Sequence, residues 1–234
     1  MDILKGIKIV DLGLYLTKER ILVIGDIHIG FEESLNKQGL MVPRFQFDEL
    51  IKRLKDILKE VKSEIIIING DVKHEFGTIS EQEWRLTLKL LDFLIEKCKK
   101  VVLIRGNHDT VLGPIAGKRD IEVKEYYLTE KMLIVHGHKI FTEKKDYDTI
   151  IIGHEHPAIG IREGVRKEKY KCFLKGKFEG KKLIVMPSFN LVTEGTDPLR
   201  ERVLSPYLKQ DISGFEVFVV GDKVYRFGKL KDLG

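Results

Sequence analysis

Five short apolar runs, each rich in isoleucine and valine and each leading into a glycine and polar residues, constrain the fold of this chain most strongly. The runs and their polar ends are ILVIGDIH (21–28), IIIINGDVKH (65–74), VVLIRGNHD (101–109), MLIVHGH (132–138) and TIIIGHEHP (149–157). Short, continuous β-branched runs are typical of strands that are buried on both faces. We therefore predict five buried strands, each of which ends at or near its glycine.

Helical patterns separate the first three of these strands. Over residues 47–61, and again over 80–98, apolar residues recur every three or four positions, as on one face of a helix. Ser80 and Glu83 have the spacing of a capping box at the start of the second helix. Farther along the chain the strands follow one another more closely. This order predicts an α/β fold with two mixed β-sheets face to face and helices outside.

Charge and composition exclude several classes of protein. The 41 basic and 36 acidic residues give a net charge of +5, which permits an acidic partner without requiring one. The longest apolar runs have four residues, whereas a membrane span needs about 20. No apolar stretch of signal-peptide length follows the start. The two cysteines, Cys98 and Cys172, form neither a disulfide framework nor a zinc–thiolate cluster. We predict a cytoplasmic protein without a membrane partner, and the sequence leaves its oligomeric state open.

Histidine marks the strand ends. All seven histidines lie within or just after the five polar clusters, at His28, His74, His108, His136, His138, His154 and His156. A single histidine is more often a surface or core residue than a ligand, but that interpretation is poor when all seven share one kind of position. Ligands of open α/β sheets bind outside the carboxyl ends of the strands. We therefore expect these side chains to meet in one crevice.

The residue types indicate what the crevice binds. Three pairs stand two residues apart, so that on an extended backbone their side chains point the same way: Asp26 with His28, His136 with His138, and His154 with His156. Asp71 and Asn107 add oxygen donors. Imidazole, carboxylate and carboxamide donors without thiolate suit Mn²⁺, Fe²⁺ or Zn²⁺.

These donors are too many for one ion. If both ions share Asp71, the donors form two sets of four: Asp26, His28, Asp71 and His156 in the first, and Asp71, Asn107, His136 and His154 in the second. Two carboxylates against two divalent ions leave a net charge of +2, which a bridging hydroxide lowers to +1. Such a centre attracts a phosphate anion and holds both the attacking and the leaving oxygen. Phosphoester hydrolysis is the reaction that these donors fit best.

As an ordered set, the motifs resemble the signature of the calcineurin-like metallophosphoesterases. The motifs are Asp26-x-His28, Gly70-Asp71, Gly106-Asn107-His108-Asp109, His136 and Gly153-His154-x-His156. The resemblance implies a four-layer α/β/β/α sandwich and the same assignment of ligands to two ions. It also selects His136 over the competing His138, because the ligand of the family stands at the strand end just before a glycine. His138 then either contacts the substrate or is a bystander.

The resemblance also implies roles for two residues that bind no metal. His108 would protonate the leaving oxygen or hold the phosphoryl group, and Asp109 would orient the His108 imidazole. His74, three residues after Asp71, is similar to a histidine of SbcD-type nucleases that assists at the substrate phosphate. The alternatives for His74 are a hydrogen bond to a metal ligand and an exposed position in a loop.

A motif and the length of the chain indicate which subgroup of the family this chain resembles. Segment 70–76 lacks the Asp-Arg-Gly sequence of protein serine/threonine phosphatases. About 78 residues follow His156, too few for the capping domain of SbcD-type nucleases. The small phosphoesterases that are encoded beside DNA-repair ligase genes are the closer match, and segment 186–197 is similar to the strand and loop that close their core. We therefore predict a single domain over residues 1–234 with no separate capping domain.

Two basic features have alternative interpretations. Segment 162–182 contains nine lysines and arginines interleaved with aromatic residues. It is either a track for a phosphate backbone or, as its interspersed glutamates favour, a pair of edge strands kept soluble by lysine. Arg105 could reach a phosphate or form a salt bridge to a helix.

We predict a phosphodiesterase that acts on nucleic acid or nucleotides through attack of a metal-bridging hydroxide. Its cofactors would be two divalent ions, with Mn²⁺ favoured over Fe²⁺, Zn²⁺ and Ni²⁺. The first alternative is a phosphomonoesterase for a nucleotide or small metabolite. The second is a non-catalytic scaffold with the same fold, which the retention of His108 and of every ligand disfavours.

Overall fold

The first of two β-sheets begins with an antiparallel meander and continues with parallel strands. The computed structural model describes residues 1–77, 79–163 and 166–233. The seven strands of this sheet lie in chain order: β1 (Asp2–Leu4), β2 (Ile7–Val10), β3 (Gly13–Leu16), β4 (Ile21–Ile24), β5 (Ile65–Asn69), β6 (Lys100–Ile104) and β7 (Glu122–Lys124). The pairs from β1 to β4 are antiparallel, and those from β4 to β7 are parallel.

The second sheet is also mixed. Its strands are β8 (Tyr126–Leu128), β9 (Met132–Val135), β10 (Thr149–Ile152), β11 (Ala158–Glu163), β12 (Arg166–Phe178), β13 (Lys181–Val185), β14 (Glu216–Val220) and β15 (Val224–Lys229). They lie in the order β15-β14-β12-β13-β10-β9-β8, and β11 pairs with β12 outside this order. β9, β10 and β13 run parallel to one another.

The α-helices of the described residues all lie between β4 and β7 along the chain. They are α1 (Phe31–Lys37), α2 (Gln46–Glu60), α3 (Glu81–Ile95) and α4 (Gly113–Gly117). The two predicted helices are confirmed as α2 and α3. The predicted capping box is present at the start of α3, where the Ser80 hydroxyl accepts from the Glu83 amide and the Glu83 carboxylate accepts from the Ser80 amide. None of these helices is long and apolar enough to cross a membrane.

Two apolar cores separate the layers. Alternate residues of the second sheet face opposite sides, as expected for strands: Ile134 contacts the core shared with the first sheet and the α-helices, whereas Leu133 contacts a second core. Tyr207 and Leu230 cover this second core from two short 3-10 helices, Pro206–Leu208 and Leu230–Asp232. The predicted α/β sandwich of two mixed sheets flanked by helices is therefore confirmed, with 3-10 helices rather than α-helices over the second sheet in the described residues. The single domain over residues 1–234 stays a prediction.

The five predicted strands are confirmed as β4, β5, β6, β9 and β10, and their carboxyl ends meet across the two sheets. β4, β5 and β6 are parallel neighbours in the first sheet, and β9 and β10 in the second. At the end of β5, the buried Asn69 side chain donates from Nδ2 to the carbonyl of Val135, the last residue of β9, over 2.9 Å. Polar residues that follow these strands are therefore brought to one place.

Candidate metal centre

All seven predicted metal ligands lie together at these carboxyl ends. Asp26 and His28 follow β4, Asp71 follows β5, Asn107 follows β6, His136 directly follows β9, and His154 and His156 follow β10. Among these seven residues, two groups have ligand atoms within 4.8 Å of one another: Asp26, His28 and His156 form one group, and Asp71, His136 and His154 the other. Each group contains three members of one predicted set of four.

The first set surrounds His156. The Nε2 atom of His156 lies 3.2 Å from Asp26 Oδ1 and 3.4 Å from His28 Nε2. Asp26 is fully buried, and its Oδ1 has no hydrogen-bond partner among the described residues. A buried carboxylate oxygen without a partner is costly unless a cation or donor satisfies it. This oxygen, together with two imidazole nitrogens close beside it, fits a divalent ion.

The second set surrounds His136. The Nε2 atom of His136 lies 3.0 Å from Asn107 Oδ1 and 3.3 Å from Asp71 Oδ2. The same Asp71 oxygen lies 3.7 Å from Nε2 of His28 in the first set. Asp71 Oδ2 therefore lies within 4 Å of a donor from each set, as a shared ligand requires.

Backbone contacts fix which ring nitrogen of His136 faces the centre. Its Nδ1 atom donates to the Asn69 carbonyl over 3.1 Å, which directs Nε2 toward Asp71. Burial lowers the pKa of this ring, but the hydrogen bond to Asp71 and the charge of Asp26 prevail and raise it to about 9. In the same contact His136 holds the pKa of the Asp71 carboxyl below its usual range, in spite of burial.

Two other ligand rings are held neutral. Burial, followed by the positive charge of His156, lowers the pKa of His28 to about 3. Burial, followed by the positive charge of His136, lowers the pKa of His154 to about 4. Neutral imidazole has the free electron pair that a metal ligand needs. Both residues are therefore ready to bind a cation near neutral pH.

Glycines at the strand ends leave room for these side chains. A Cβ atom added to Gly70 would overlap the His136 ring, and one added to Gly106 would overlap Asp71 Oδ1. A Cβ atom on Gly153 would overlap Asp26 Oδ2. At these three strand ends the glycine is thus required by the close approach of a ligand from a neighbouring loop.

The backbone at the centre differs from the extended conformation that we assumed for pairs two residues apart. Among the described residues other than glycine, nine have positive φ, and five of them are predicted ligands: Asp26, His28, Asp71, His154 and His156. A left-handed conformation costs about 1–2 kcal/mol for a residue with a side chain. Such conformations cluster at functional sites, where the surrounding structure holds them. The side chains converge through tight loops rather than through strand alternation.

The predicted contact between Asp109 and the His108 ring is wrong. The two oxygens of Asp109 accept from the amides of Val72 and Gly106, over 3.1 and 3.0 Å. The His108 Nδ1 atom instead contacts the carbonyl oxygen of His74. Asp109 is buried. Its carboxylate links the loop after β5, which contains Val72, to the loop after β6, which contains Gly106. Burial, followed by the negative charge of Asp71, raises the pKa of Asp109 to about 6.

His108 and His74 lie at one side of the centre. The His108 Nε2 atom is 3.9 Å from Asp71 Oδ2, and its ring packs against that of Phe76, with centroids 3.7 Å apart and planes tilted by 36°. The His74 ring contacts Phe31, and its nitrogens lie within 4.8 Å of those of His28 and His108. His74 is therefore part of the site rather than an exposed loop residue.

His138 and Arg105 lie beside His136, on the side of the second ligand set. The His138 ring centroid is 5.3 Å from that of His136, whose own nitrogens lie 3.6 and 3.3 Å from the carboxylates of Asp26 and Asp71. The choice of His136 as the ligand stays a prediction. Arg105 forms a salt bridge with Glu125 over 3.2 Å. Glu125 lies between β7 and β8, so the predicted salt bridge is present but is made to a turn.

The structure describes the side chains of only part of the basic segment 162–182. Among its members whose side chains are described, Lys169 and Lys175 form ion pairs with Glu201 and Glu216, at 2.5 and 2.7 Å. The predicted pair of edge strands is wrong, because β12 lies between β14 and β13, and β13 lies between β12 and β10. The pair of Lys175 and Glu216 joins neighbouring positions of β12 and β14. The side chains of residues 162–167, including three of the nine basic residues, lie outside the described part, so a phosphate-backbone track there stays a prediction.

Three supporting residues did not emerge from the sequence. Asn69 joins β5 to β9 and orients His136, and its only signal is a polar residue at the end of an apolar run. Asn190 donates from Nδ2 to the Ile27 carbonyl and from its amide to the Asp26 carbonyl, so it holds the first ligand loop. The buried Glu83 carboxylate accepts from the amides of His74 and Glu75. The sequence indicated the capping box of Glu83 but not its hydrogen bonds to the loop that contains His74.

The fold and the donor set place this protein among the metal-dependent phosphoester hydrolases. The chain belongs to the calcineurin-like phosphoesterase family, whose sequence profile matches residues 19–171. The group of ligand-bearing loops, from Asp26 to His156, lies entirely within the matched region. Members of this family use divalent metals, in agreement with the donors described above.

Comparison with solved structures finds the same fold in one bacterial nuclease and a lower similarity in other proteins. Nuclease MPE from Pseudomonas putida has 24% sequence identity and a TM-score of 0.64, over 93% of this chain and 92% of that chain. The phosphoesterase YfcE from E. coli has 12% identity and a TM-score of 0.40, over 92% and 94% of the two chains. A Vps29 double mutant from Entamoeba histolytica has 15% identity and a TM-score of 0.35, over 86% of each chain. No curated protein matches the sequence.

Proposed function

We propose that this protein is a phosphodiesterase that uses two divalent ions and acts on nucleic acid or nucleotides. The position of Asp71 Oδ2 carries the proposal. This oxygen lies 3.7 Å from His28 Nε2 and 3.3 Å from His136 Nε2, one donor from each ligand set. A carboxylate oxygen between two groups of donors supports a pair of ions with Asp71 as their common ligand.

These contacts support a proposed set of four ligands for each ion. Asp26, His28, Asp71 and His156 would hold the first ion, and Asp71, Asn107, His136 and His154 the second. Nitrogen and oxygen donors without thiolate favour Mn²⁺, with Fe²⁺, Zn²⁺ and Ni²⁺ as alternatives. When bound, the two ions supply an activated water and stabilise charge on the phosphoryl oxygens.

His108 is the proposed general acid. Its Nδ1 atom donates to the His74 carbonyl, so Nε2 is directed toward the centre, 3.9 Å from Asp71 Oδ2. A protonated His108 would give its Nε2 proton to the oxygen of the departing alcohol. His74, whose ring lies beside those of His28 and His108, would contact a phosphoryl oxygen. Asp109 acts through the backbone that carries Asn107 and His108, and is a positioning residue.

A diester is proposed as the substrate because segment 70–76 resembles that of SbcD-type nucleases. His74, on which this resemblance depends, lies beside the metal ligands and not on a remote surface. Nuclease MPE, by its name, acts on nucleic acid, and its fold is similar to that of this chain. Because the similarity to nuclease MPE is one of fold alone, the proposed preference for a diester depends on segment 70–76 and its His74.

The experiment that tests this function compares wild type with His108→Ala on bis(4-nitrophenyl) phosphate in the presence of Mn²⁺. We expect turnover in the variant to fall by about 10²–10⁴, the usual contribution of a general acid. Metal content and the unfolding transition serve as controls, because His108 is not a proposed ligand. Full turnover in His108→Ala would contradict the assigned role.

The two alternatives have distinct outcomes in the same experiment. A strong preference for 4-nitrophenyl phosphate over the diester would identify a monoesterase. A protein that binds no metal and hydrolyses neither compound would be a scaffold. Hydrolysis of the diester that depends on Mn²⁺ and exceeds that of the monoester is the result that we expect.

A further inference from the structure

A cavity of about 270 Å³ lies directly beside the metal centre, on the side of the second ligand set. His136 and His138 form one wall, and Arg105, Tyr126 and Phe141 are among the residues that line the rest. We propose that this cavity is the subsite for one nucleoside of the substrate, next to the phosphate at the metal centre. This inference rests on the proposed function and adds to it the place where the organic part of the substrate binds.

The position of the cavity supports this assignment. His136 is at once a cavity wall and a proposed ligand of the second ion. Tyr126, at the start of β8, pairs in register with Val135, the residue before His136. A group bonded to a phosphate at the metal centre therefore reaches the cavity without crossing another element. A cavity of about 270 Å³ lies just below the usual range of ligand pockets, about 300–1,000 Å³, so it suits a group no larger than a single nucleoside.

The walls have the chemistry that a nucleobase requires. Tyr126 and Phe141 contact each other edge to face, with ring centroids 4.8 Å apart, and provide aromatic surface for stacking. The Nδ1 atom of His138 has no hydrogen-bond partner among the described residues. A base combines an apolar face with polar edges, so it can use both kinds of surface.

The charges of the lining favour a neutral group over a second phosphate. Arg105 and Lys139 both pair with Glu125, over 3.2 and 3.1 Å, and Glu143 accepts from the Tyr126 hydroxyl. These two cations and two carboxylates balance each other. An additional anion would have to compete with Glu125 for the same cations, whereas an uncharged base would not.

A different aromatic surface lies at the other side of the centre. Phe76 is 60% exposed and packs against His108, the proposed general acid. A base could stack there instead, but Phe76 offers a single, mostly exposed ring. The experiment is designed so that the two positions give opposite results.

The test measures affinity rather than turnover. Calorimetry gives the Kd of two non-hydrolysable probes for the Mn²⁺-loaded protein: ethylphosphonate, and the methylene phosphonate analogue of adenosine 5′-monophosphate. Both have one phosphonate group, so the ratio of their affinities reports the nucleoside alone. We expect the nucleoside analogue to bind about tenfold or more tightly in wild type, as stacking of one base provides.

Substitutions of the cavity residues test whether the cavity causes the tighter binding of the nucleoside probe. Tyr126→Leu and Phe141→Leu keep apolar volume but remove the rings, and we expect the affinity ratio to fall to about threefold or less. Tyr225→Ala, at an exposed tyrosine of β15, is the matched control and leaves the ratio unchanged. Equal affinity of the two probes in wild type would overturn the subsite. So would a ratio that survives in both cavity variants and disappears in Phe76→Ala.

The experiments distinguish a wrong assignment of the subsite from a wrong assignment of the function. A protein that hydrolyses the nitrophenyl diester but shows no preference for the nucleoside probe retains the proposed function without this subsite. A protein that prefers the nucleoside probe, loses that preference in the cavity variants and hydrolyses no diester retains the subsite without the proposed function. Unfolding curves of each variant show whether a lost preference reflects the cavity or a loss of structure.

Discussion

At the scale of single residues, Gly106 is the strictest requirement of the metal centre. A methyl group at this position would overlap Asp71 Oδ1, and Asp71 is the ligand shared by both proposed ions. We expect Gly106→Ala to weaken metal binding by at least about 10–100-fold, the usual effect of disturbing a residue that supports a metal ligand. Metal content after dialysis against a known Mn²⁺ concentration measures the loss.

Gly117 is the matched control for this substitution. It lies at the end of α4, has no atom within 4 Å of an added Cβ, and does not have positive φ. Gly117→Ala is expected to leave metal binding unchanged and to raise the free energy of unfolding by about 0.5–1 kcal/mol. Equal metal binding by both variants would show that the strand-end glycine is not needed for Asp71.

The raised pKa of His136 predicts how metal affinity depends on pH. The Asp71 hydrogen bond and the Asp26 charge raise this pKa to about 9 against the effect of burial, so the metal-free ring keeps a proton below that pH. A metal must displace this proton, and affinity should rise with pH by up to about tenfold per unit until pH 9. Mn²⁺ titrations at pH 6.5, 7.5 and 8.5 test this. A flat affinity would mean that His136 is not a ligand or is already neutral.

Residue types at the site could be predicted because metal chemistry restricts them, but their contacts could not. Seven histidines at strand ends already indicate donors that share one place. The contact of Asp109 could not be predicted in this way. A carboxylate next to a histidine can orient that ring or accept from the backbone, and only the fold of the loop shows that it binds Val72 and Gly106.

At the scale of elements, α3 connects helix capping to the site. Glu83 is buried and accepts hydrogen bonds from the amides of His74, Glu75 and Ser80. Glu83→Ala leaves these amides without their acceptor, and we expect it to lower the free energy of unfolding by about 3 kcal/mol. It should also reduce turnover, because His74 and the carbonyl that orients His108 belong to the released loop. Urea unfolding and diesterase assays measure both effects.

The variant Ser80→Ala removes the cap of α3 but leaves the hydrogen bonds between the Glu83 carboxylate and the loop that contains His74. The Ser80 hydroxyl caps α3 through the Glu83 amide, and its removal is expected to cost about 1 kcal/mol. The Glu83 carboxylate still accepts from His74 and Glu75 in this variant, so turnover should stay near the wild-type value. If both variants lost turnover in proportion to stability, the loop contact would have no separate role.

The elements themselves were largely predictable, and the exceptions have physical reasons. Apolar runs of three or four residues identify buried strands, and the amphipathic pattern identifies α2 and α3. α1 has seven residues, fewer than two full turns, which is too short for a periodic signal. The order of the second sheet depends on pairing between distant segments, such as β14 with β12, that no local pattern specifies.

At the scale of the whole molecule, metal binding should contribute to stability. Asp26 and Asp71 are both buried at the junction of the two sheets, and a bound cation compensates their charges. A ligand at 100 times its Kd stabilises the folded state by about 2.7 kcal/mol. For a chain of this length that corresponds to a rise in Tm of about 5–10 °C. Calorimetric scans with Mn²⁺ and with EDTA measure the difference, and Asp71→Asn should show a smaller one.

The contacts that join the two sheets were the least predictable feature. The sequence predicts that donors at the carboxyl ends of strands meet in one crevice, but it does not show which side chains hold the ends of different sheets together. The structure achieves this through Asn69, which joins β5 to β9, and through Asn190, which follows β13 and holds the Asp26 loop. Each contact joins residues more than 60 positions apart in the chain.

A crystal of the Mn²⁺-loaded protein, with anomalous scattering recorded at the manganese edge, tests the two-ion centre most directly. We predict two peaks about 3.5–4 Å apart, with Asp71 bound to both. The first should also contact Asp26, His28 and His156, and the second Asn107, His136 and His154. A single peak, or two peaks without Asp71 between them, would contradict the proposed centre.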